Sequence, residues 1–275
     1  MKTIVVATDF SAAALNAAYY ATDMAKATGK QVLLLHVYTL PVSYAEVPVA
    51  FNADQLMQDI QQELDKLQAL LAERVAGAVV VNTLLKIGTF YTELKAVCDQ
   101  EAPYLVVMGS QGTTAAERML LGSHAVAAMK NLPWPLITVP PACTFNGIKK
   151  MGLACDLDEV AATVPVSLLE LFVIDFRAEL HVLNIKEKRE HIATILQETS
   201  ALYDMLEPLR PEYHYSVHPK VVDSITEAVD ELGLDLLIVL PKRHDWLYQL
   251  THTSHTKQLT LRSPVPVMAL QASER

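Results

Sequence analysis

Residues 106–125 read VVMGSQGTTAAERMLLGSHA, and this stretch decides how the chain is interpreted. It opens with the end of an apolar run, residues 105–108, which is typical of a buried strand. Three glycines follow, Gly109, Gly112 and Gly122. Glycines let a backbone approach a ligand closely, or turn where other residues are strained. The surrounding sequence has to distinguish a binding loop from a simple turn.

The first half of the chain alternates short apolar runs with patterns of helical period. Buried strands separated by helices predict a parallel sheet that is covered on both faces. The predicted strands are Thr3–Ala7, Gln31–Tyr38, Val79–Ile87, Tyr104–Met108 and Leu136–Val139, and the predicted helices span about 12–28, from Asn52 or Asp54 onward, about 89–101 and about 114–130.

The second half repeats this order of elements. Asp156 in MGLACDLD takes the place of Asp9 in VVATDF. The dipeptide Ser-His at 123–124 recurs at 254–255, which is 254 − 123 = 131 residues later. The same element order together with local matches indicates a duplicated domain.

The sequence therefore predicts an α/β protein of two tandem doubly wound domains, each a five-stranded parallel sheet flanked by helices. A length of 275 residues suits two domains, at roughly 100–200 residues each. We expect domain 1 to span residues 1–143 and domain 2 to span residues 147–275, because a segment with proline and glycine lies between the two sets of elements.

Composition argues against several classes of partner. The net charge is −9, and no long cluster of lysine and arginine stands out, which argues against a nucleic-acid or anionic-membrane surface. The opening MKTIVVATDF is typical of a first strand and not of a signal peptide. The most apolar stretch, residues 165–176, is too short to span a bilayer. We expect a cytoplasmic protein.

The position of the glycines indicates where a ligand would bind. In an open parallel sheet, ligands lie outside the carboxyl ends of the strands, where strand order reverses. If the first and fourth strands are neighbours, the segments 7–11 and 109–112 meet there. Glycine turns leave backbone N–H groups accessible, and a helix N-terminus adds a positive dipole end, so both favour a phosphate. The alternative is a set of turn glycines, and Gly109 taken alone favours that interpretation.

The whole set Gly109, Gly112, Gly122 and Ser123 fits the pattern G-x2-G-x9-G-[ST]. In this pattern the chain resembles the ATP-binding universal stress proteins, and the opening IVVATDFS and the HVY after the second strand are also similar to that family. The whole chain resembles the tandem form of this family, in which one polypeptide contains two such domains. The resemblance implies an adenine nucleotide alpha hydrolase-like fold and a protein that senses or regulates the stress response by binding ATP or another adenine nucleotide.

The resemblance also implies roles for single residues. Asp9 would lie beside the base and ribose, where it could also help to hold Mg²⁺ on the phosphates, and the main chain at Val37 would contact adenine. The fifth strands, Ile137–Val139 and Val267–Ala269, would pair within one molecule as a pseudo-dimer, and a further homodimer stays open. The residues that would hold ribose and phosphates are Gly109, Ser110, Gly112, Gly122, Ser123 and His124.

The second half departs from the glycine pattern. Its equivalent stretch, residues 240–256, has Pro241 in place of the first glycine and His244 in place of the second. Side chains and a missing N–H would keep a phosphate away from the main chain, so we expect one nucleotide site, in the first half.

The histidines of the second half raise the question of a metal. His252 and His255 lie three apart on a predicted helix, and with His244 they are weak candidates for a zinc site. The alternative is a polar helix surface that fills the vacant pocket. His214 and His218 alternate on a predicted strand, where we expect them to face solvent.

Two other classes of function stay open. One is an enzyme, either a slow ATPase or an adenylyl-transfer enzyme; the motif contains His124 and Glu117 but shows neither with a clear partner, so we assign no catalytic residue. The other is a module that binds a lipid or a metal ion and no nucleotide. Survival of ATP during long incubation separates the first class from a sensor, and the molecule that co-purifies separates the second.

Overall fold

The computed structural model of the chain describes residues 2–39, 53–110, 123–141, 143–187, 192–241 and 255–271. Within these residues ten strands form one sheet. The strands are β1 Thr3–Ala7, β2 Gln31–Tyr38, β3 Val81–Ile87, β4 Leu105–Gly109, β5 Leu136–Val139, β6 Lys150–Ala154, β7 Glu179–Lys186, β8 Glu212–Val217, β9 Leu236–Val239 and β10 Val267–Ala269.

Strand order in the sheet is β3-β2-β1-β4-β5-β10-β9-β6-β7-β8. Each half of the chain contributes five strands that run parallel to one another. The order reverses between β1 and β4 in the first half, and between β6 and β9 in the second. This is the arrangement of a doubly wound α/β fold, so the predicted fold class is confirmed.

Helices cover both faces of this sheet. One hydrophobic core includes side chains of α1, α2, α5, α6 and α7, and the core on the other face includes side chains of α3, α4, α8 and α9. Each core contains residues of both halves. The helices are α1 Ala12–Thr28, α2 Ala53–Arg74, α3 Phe90–Glu101, α4 Ser123–Asn131, α5 Val160–Thr163, α6 Val166–Phe176, α7 Ile192–Leu206, α8 Val221–Leu232 and α9 His255–Arg262. Among the described residues, no helix is both long and apolar enough to cross a membrane.

The two halves join through β5 and β10, which pair antiparallel at the centre of the sheet. Ile137 lies opposite Met268, and Thr138 lies opposite Val267, whose carbonyl accepts a hydrogen bond from the Thr138 hydroxyl at 3.3 Å. Both Ile137 and Met268 are fully buried. The pairing of fifth strands within one chain is therefore present.

The first helix of the two halves differs in continuity. After β1 the chain forms the unbroken helix α1, whereas after β6 it forms the short α5 and then α6, with Pro165 between them. Proline lacks an N–H and its ring collides with the preceding turn, so a helix cannot continue through it undisturbed. The sequence prediction did not locate this break.

The turns after β1 and β6 share their hydrogen bonding. The N–H of Thr8 donates to the Leu35 carbonyl at 2.9 Å, and the N–H of Cys155 donates to the Leu183 carbonyl at 3.0 Å. A side chain from the neighbouring strand then bonds the carbonyl of the same residue. His36 Nδ1 lies 2.8 Å from the Thr8 oxygen, and its counterpart Asn184 donates Nδ2–H to the Cys155 oxygen at 2.7 Å.

Gly109 ends β4 against the first turn of α1. A Cβ atom at Gly109 would lie 2.9 Å from the backbone carbon of Ala13 and 3.0 Å from its oxygen. Backbone atoms cannot move aside as a flexible side chain can. Glycine is therefore required here by packing of the helix on the strand, whatever binds nearby.

We expect Gly109→Ala to destabilise the protein. The added methyl group overpacks the contact with Ala13, which costs about 1–3 kcal/mol and lowers the thermal midpoint by several degrees. Thermal unfolding followed by circular dichroism measures this. An unchanged midpoint would contradict the packing role of Gly109.

We expect His36→Asn to keep the hydrogen bond to the Thr8 carbonyl, because the chain itself uses Asn184 for the same bond in its second half. His36→Leu removes the donor and should lower the free energy of unfolding by about 1–2 kcal/mol. Denaturant unfolding of the two variants side by side makes the comparison. Equal losses in both would show that the bond to Thr8 contributes nothing.

Candidate functional site

The carboxyl ends of β1 and β4 lie side by side, as the binding hypothesis requires. Val6 of β1 is in register with Val107 of β4. β2 flanks the other side of β1, so this is the point where strand order reverses. Ligands of open α/β sheets bind in the crevice at such a point. The segments after β1 and β4 therefore start next to each other.

Asp9 and Ser11 shape the turn from β1 into α1. The Asp9 carboxylate accepts a hydrogen bond from the Ser11 N–H at 3.0 Å. The Ser11 hydroxyl oxygen accepts one from the Ala14 N–H at 3.1 Å, which caps the helix. Asp9 is exposed. The turn thus presents a carboxylate at the mouth of the crevice, directly before the positive end of the α1 dipole.

Phe10 and His36 form an aromatic wall beside Asp9. Phe10 has a left-handed backbone with a φ of 62°, and its ring lies 4.6 Å from the His36 ring, centroid to centroid. Because the Thr8 carbonyl can only accept, His36 Nδ1 donates this hydrogen bond. The sequence prediction missed both side chains, although it placed the adjacent main chain of Val37 near a ligand. Val37 is half-buried at the end of β2.

The residues at the end of β4 already make packing and hydrogen-bond contacts within the fold. Gly109 packs on Ala13, and the N–H of Ser110 donates to the Val139 carbonyl at 3.0 Å. Ser110 is 4% exposed. Its N–H is therefore not available to a phosphate, and any backbone cradle has to come from residues farther along the loop.

The remainder of the motif lies partly outside the described residues. Gly112 and Gly122 fall there. Ser123 and His124 open α4, and the exposed His124 ring stacks on Phe90 of α3 at 4.7 Å with an interplanar angle of 17°. This contact fixes an imidazole at the first turn of α4.

The corresponding end of the second half keeps the turn but not the motif. The N–H of Asp158 donates to the Asp156 carboxylate at 3.3 Å, as Ser11 does to Asp9, and Leu157 has a φ of 54°. Pro241 lies two residues beyond the end of β9 and corresponds to Ser110 in the strand register. Leu240, and not Pro241 as predicted, therefore takes the place of Gly109. The metal candidates His244 and His252 lie outside the described residues, as does the side chain of His255.

The prediction that His214 faces solvent is wrong. His214 is half-buried, and its Nε2 lies 3.1 Å from Nδ1 of His181 on the neighbouring strand β7. The alternation along β8 could be read from sequence, but the partner strand could not. His218 lies just beyond β8, and its Nδ1 accepts a hydrogen bond from the Lys220 N–H at 3.2 Å.

Comparison with known proteins identifies relatives of the first half. The model of the universal stress protein family matches residues 1–140. A universal stress protein of Methanocaldococcus jannaschii is 30% identical over 141 residues, covering 50% of this chain and 81% of that protein. Another, from Thermus aquaticus, is 29% identical over 140 residues, covering 50% of this chain and 98% of that protein.

The whole chain is similar in fold to solved structures of about its own length. A universal stress protein from Archaeoglobus fulgidus superimposes with a TM-score of 0.73 at 15% identity, covering 99% of this chain and 97% of that one. The likeness extends over both halves. Together with the match of residues 1–140, these similarities show that the chain belongs to the universal stress protein family.

Proposed function

We propose that the first half of the chain binds ATP or another adenine nucleotide with Mg²⁺, and that this binding makes the protein a sensor or regulator of the stress response in the cytoplasm. Residues 1–143 and 147–275 are then two domains that arose by duplication, and the first carries the nucleotide site.

One observation carries this proposal. The complete glycine motif begins at the last residue of β4, and β4 is the strand at which the sheet order reverses. A motif of three glycines and a serine would be chance if it began in the middle of a helix or at a sheet edge. Its start at the crevice where α/β sheets bind ligands supports a binding loop.

Each part of a bound nucleotide would contact a different element of the fold. Adenine would lie at the end of β2, against the main chain of Val37 and beside the rings of Phe10 and His36, which offer stacking surface. The ribose would lie near Asp9. The phosphates would meet the N–H groups of residues 111–122 and the first turn of α4, where His124 stands on Phe90.

The charge of Asp9 favours a metal-bound nucleotide. The Asp9 carboxylate follows β1, next to the end of β4 where the phosphate loop begins, and anions that come close repel each other. A Mg²⁺ ion bound to phosphate oxygens, with Asp9 as a further ligand or neighbour, removes this repulsion. The chain's net charge of −9 acts in the same direction.

We expect Mg-ATP to bind ligand-free protein, prepared by unfolding and refolding, at one site per chain. Gly112→Val should weaken this binding at least about tenfold, because a branched side chain keeps the phosphates from the loop backbone; tenfold corresponds to about 1.4 kcal/mol. Isothermal titration calorimetry measures both proteins. Gly112 suits the test better than Gly109, whose substitution disturbs packing on α1.

His244→Val is the matched control, because His244 belongs to the loop sequence after β9, where the second half lacks the glycines. We expect it to leave nucleotide affinity within about twofold of wild type. The nucleotide proposal fails if refolded wild type does not bind, or if Gly112→Val binds as tightly as wild type while its thermal midpoint is unchanged.

We expect Asp9→Asn to separate the metal from the nucleotide. The amide oxygen still accepts the Ser11 N–H, so the turn is kept while the charge is lost. Affinity for Mg-ATP should fall several-fold, and affinity for ATP in excess chelator should rise, because repulsion is removed. Titrations with and without Mg²⁺ test this, with Asp156→Asn as the control. A parallel fall in both titrations would exclude the role of Asp9 in holding Mg²⁺.

A further inference from the structure

Three side chains of the kinds that bind metal ions meet on β7 and β8. They lie near the N-terminal ends of these strands, at the edge of the sheet opposite to the loop after β9. His181 Nδ1 lies 3.1 Å from His214 Nε2 and 3.5 Å from Glu212 Oε2. The three ligand atoms all lie within 4.8 Å of one another. Two imidazole nitrogens and a carboxylate oxygen are the donor set of a common kind of zinc site.

The sheet register explains why these residues meet. β7 and β8 run parallel, with His181 opposite Glu212 and Leu183 opposite His214. Side chains two apart on a strand share a face, so Glu212 and His214 flank His181 from the neighbouring strand. The backbone of both strands is held by the ladder. The cluster therefore needs no loop to bring its members together.

A shared proton cannot satisfy this cluster. One N–H between His181 and His214 would account for the 3.1 Å contact, but the Glu212 oxygen is an acceptor too and faces the same ring nitrogen. The nitrogen that carries the hydrogen has no lone pair, so two acceptors, the other ring nitrogen and the Glu212 oxygen, share a single hydrogen. His181 is 2% exposed, so water does not relieve this arrangement at its ring. A cation satisfies all three atoms at once.

The spacing also fits a metal. Ligands about 2.0–2.2 Å from a tetrahedral Zn²⁺ ion are separated from each other by about 3.3–3.6 Å. The two measured separations, 3.1 and 3.5 Å, lie close to this range. The third separation, between the His214 nitrogen and the Glu212 oxygen, is at most 4.8 Å.

A carboxylate lies near the second ring nitrogen of His181, but beyond hydrogen-bond distance. Among the described residues its second nitrogen, Nε2, is buried and has no hydrogen-bond partner. The nearest acidic oxygen, Glu179 Oε2, lies 3.9 Å away. Histidines that bind metal through one nitrogen usually donate the other N–H to a carboxylate, which fixes the ring.

We propose that His181, Glu212 and His214 bind a Zn²⁺ ion, with Glu179 orienting the His181 ring. The side chain of Glu212 is 70% exposed, so the fourth coordination position faces solvent and takes a water molecule. The carboxylates of Glu212 and Glu179 outweigh the nearby ammonium group of Lys150, so the local charge favours a divalent cation. This site uses none of the residues proposed for the nucleotide, so either proposal can fail without affecting the other.

The test is zinc titration of full-length protein that has been freed of metal with a chelator. We expect one Zn²⁺ ion per chain in competition with a chromophoric chelator. His214→Ala and Glu212→Gln should each weaken binding at least about 100-fold, and Glu179→Gln about 10-fold, since a residue that orients a ligand matters less than the ligand itself. His214 and Glu212 are chosen over buried His181 because their replacement leaves the core intact.

His218→Ala is the matched control, a histidine four residues from His214 that bonds the backbone at Lys220. It should leave zinc affinity unchanged within about twofold. Co²⁺ gives a second readout, because a tetrahedral site produces intense visible absorption that His214→Ala should abolish. Absence of saturable zinc binding below about 100 µM would overturn the proposal. So would zinc binding that survives His214→Ala and is lost in the double variant His252→Ala, His255→Ala.

Discussion

The antiparallel pairing of β5 with β10 is the interaction on which the rest of the structure depends. A half-sheet that ended at β5 would expose a row of unpaired backbone groups on a strand that is now fully buried, and such an edge favours aggregation. Pairing with β10 buries both strands and leaves β3 and β8 as the sheet edges. The helical layers continue across the join, where the Tyr104 and Phe172 rings meet at 5.2 Å and Gln271 donates to the Met129 carbonyl at 2.7 Å.

The pairing fixes one scaffold, and each half uses it differently. The turns after β1 and β6 share their hydrogen bonds, their carboxylate and their left-handed residue, Phe10 or Leu157. The loops after β4 and β9 differ in sequence, with glycines in one and a proline in the other. A fold of this kind is held by strands and helices, so a loop can lose its ligand chemistry without loss of the scaffold.

Much of the fold could be predicted because parallel strands buried on both faces are continuous apolar runs. These runs predicted the first and last residues of β1, β2 and β5 correctly. What failed depends on packing between distant segments. Gly109 looked like a ligand contact or a turn, and its contact with Ala13 could not be read from either segment. The meeting of His181 with His214 depends on the register of β7 against β8, which one strand's alternation does not contain.

The two proposed sites place different demands on the chain. A nucleotide site at β1 and β4 would use residues of the connections that follow these strands. The cluster at β7 and β8 lies on strands already held by a ladder, so its ligands are preorganised. Charged side chains such as Glu212 also protect an exposed edge strand from pairing with another chain. An ion bound there links the edge strand β8 to β7 through side chains. Because β8 is paired on one side alone, ion binding stabilises this edge of the sheet.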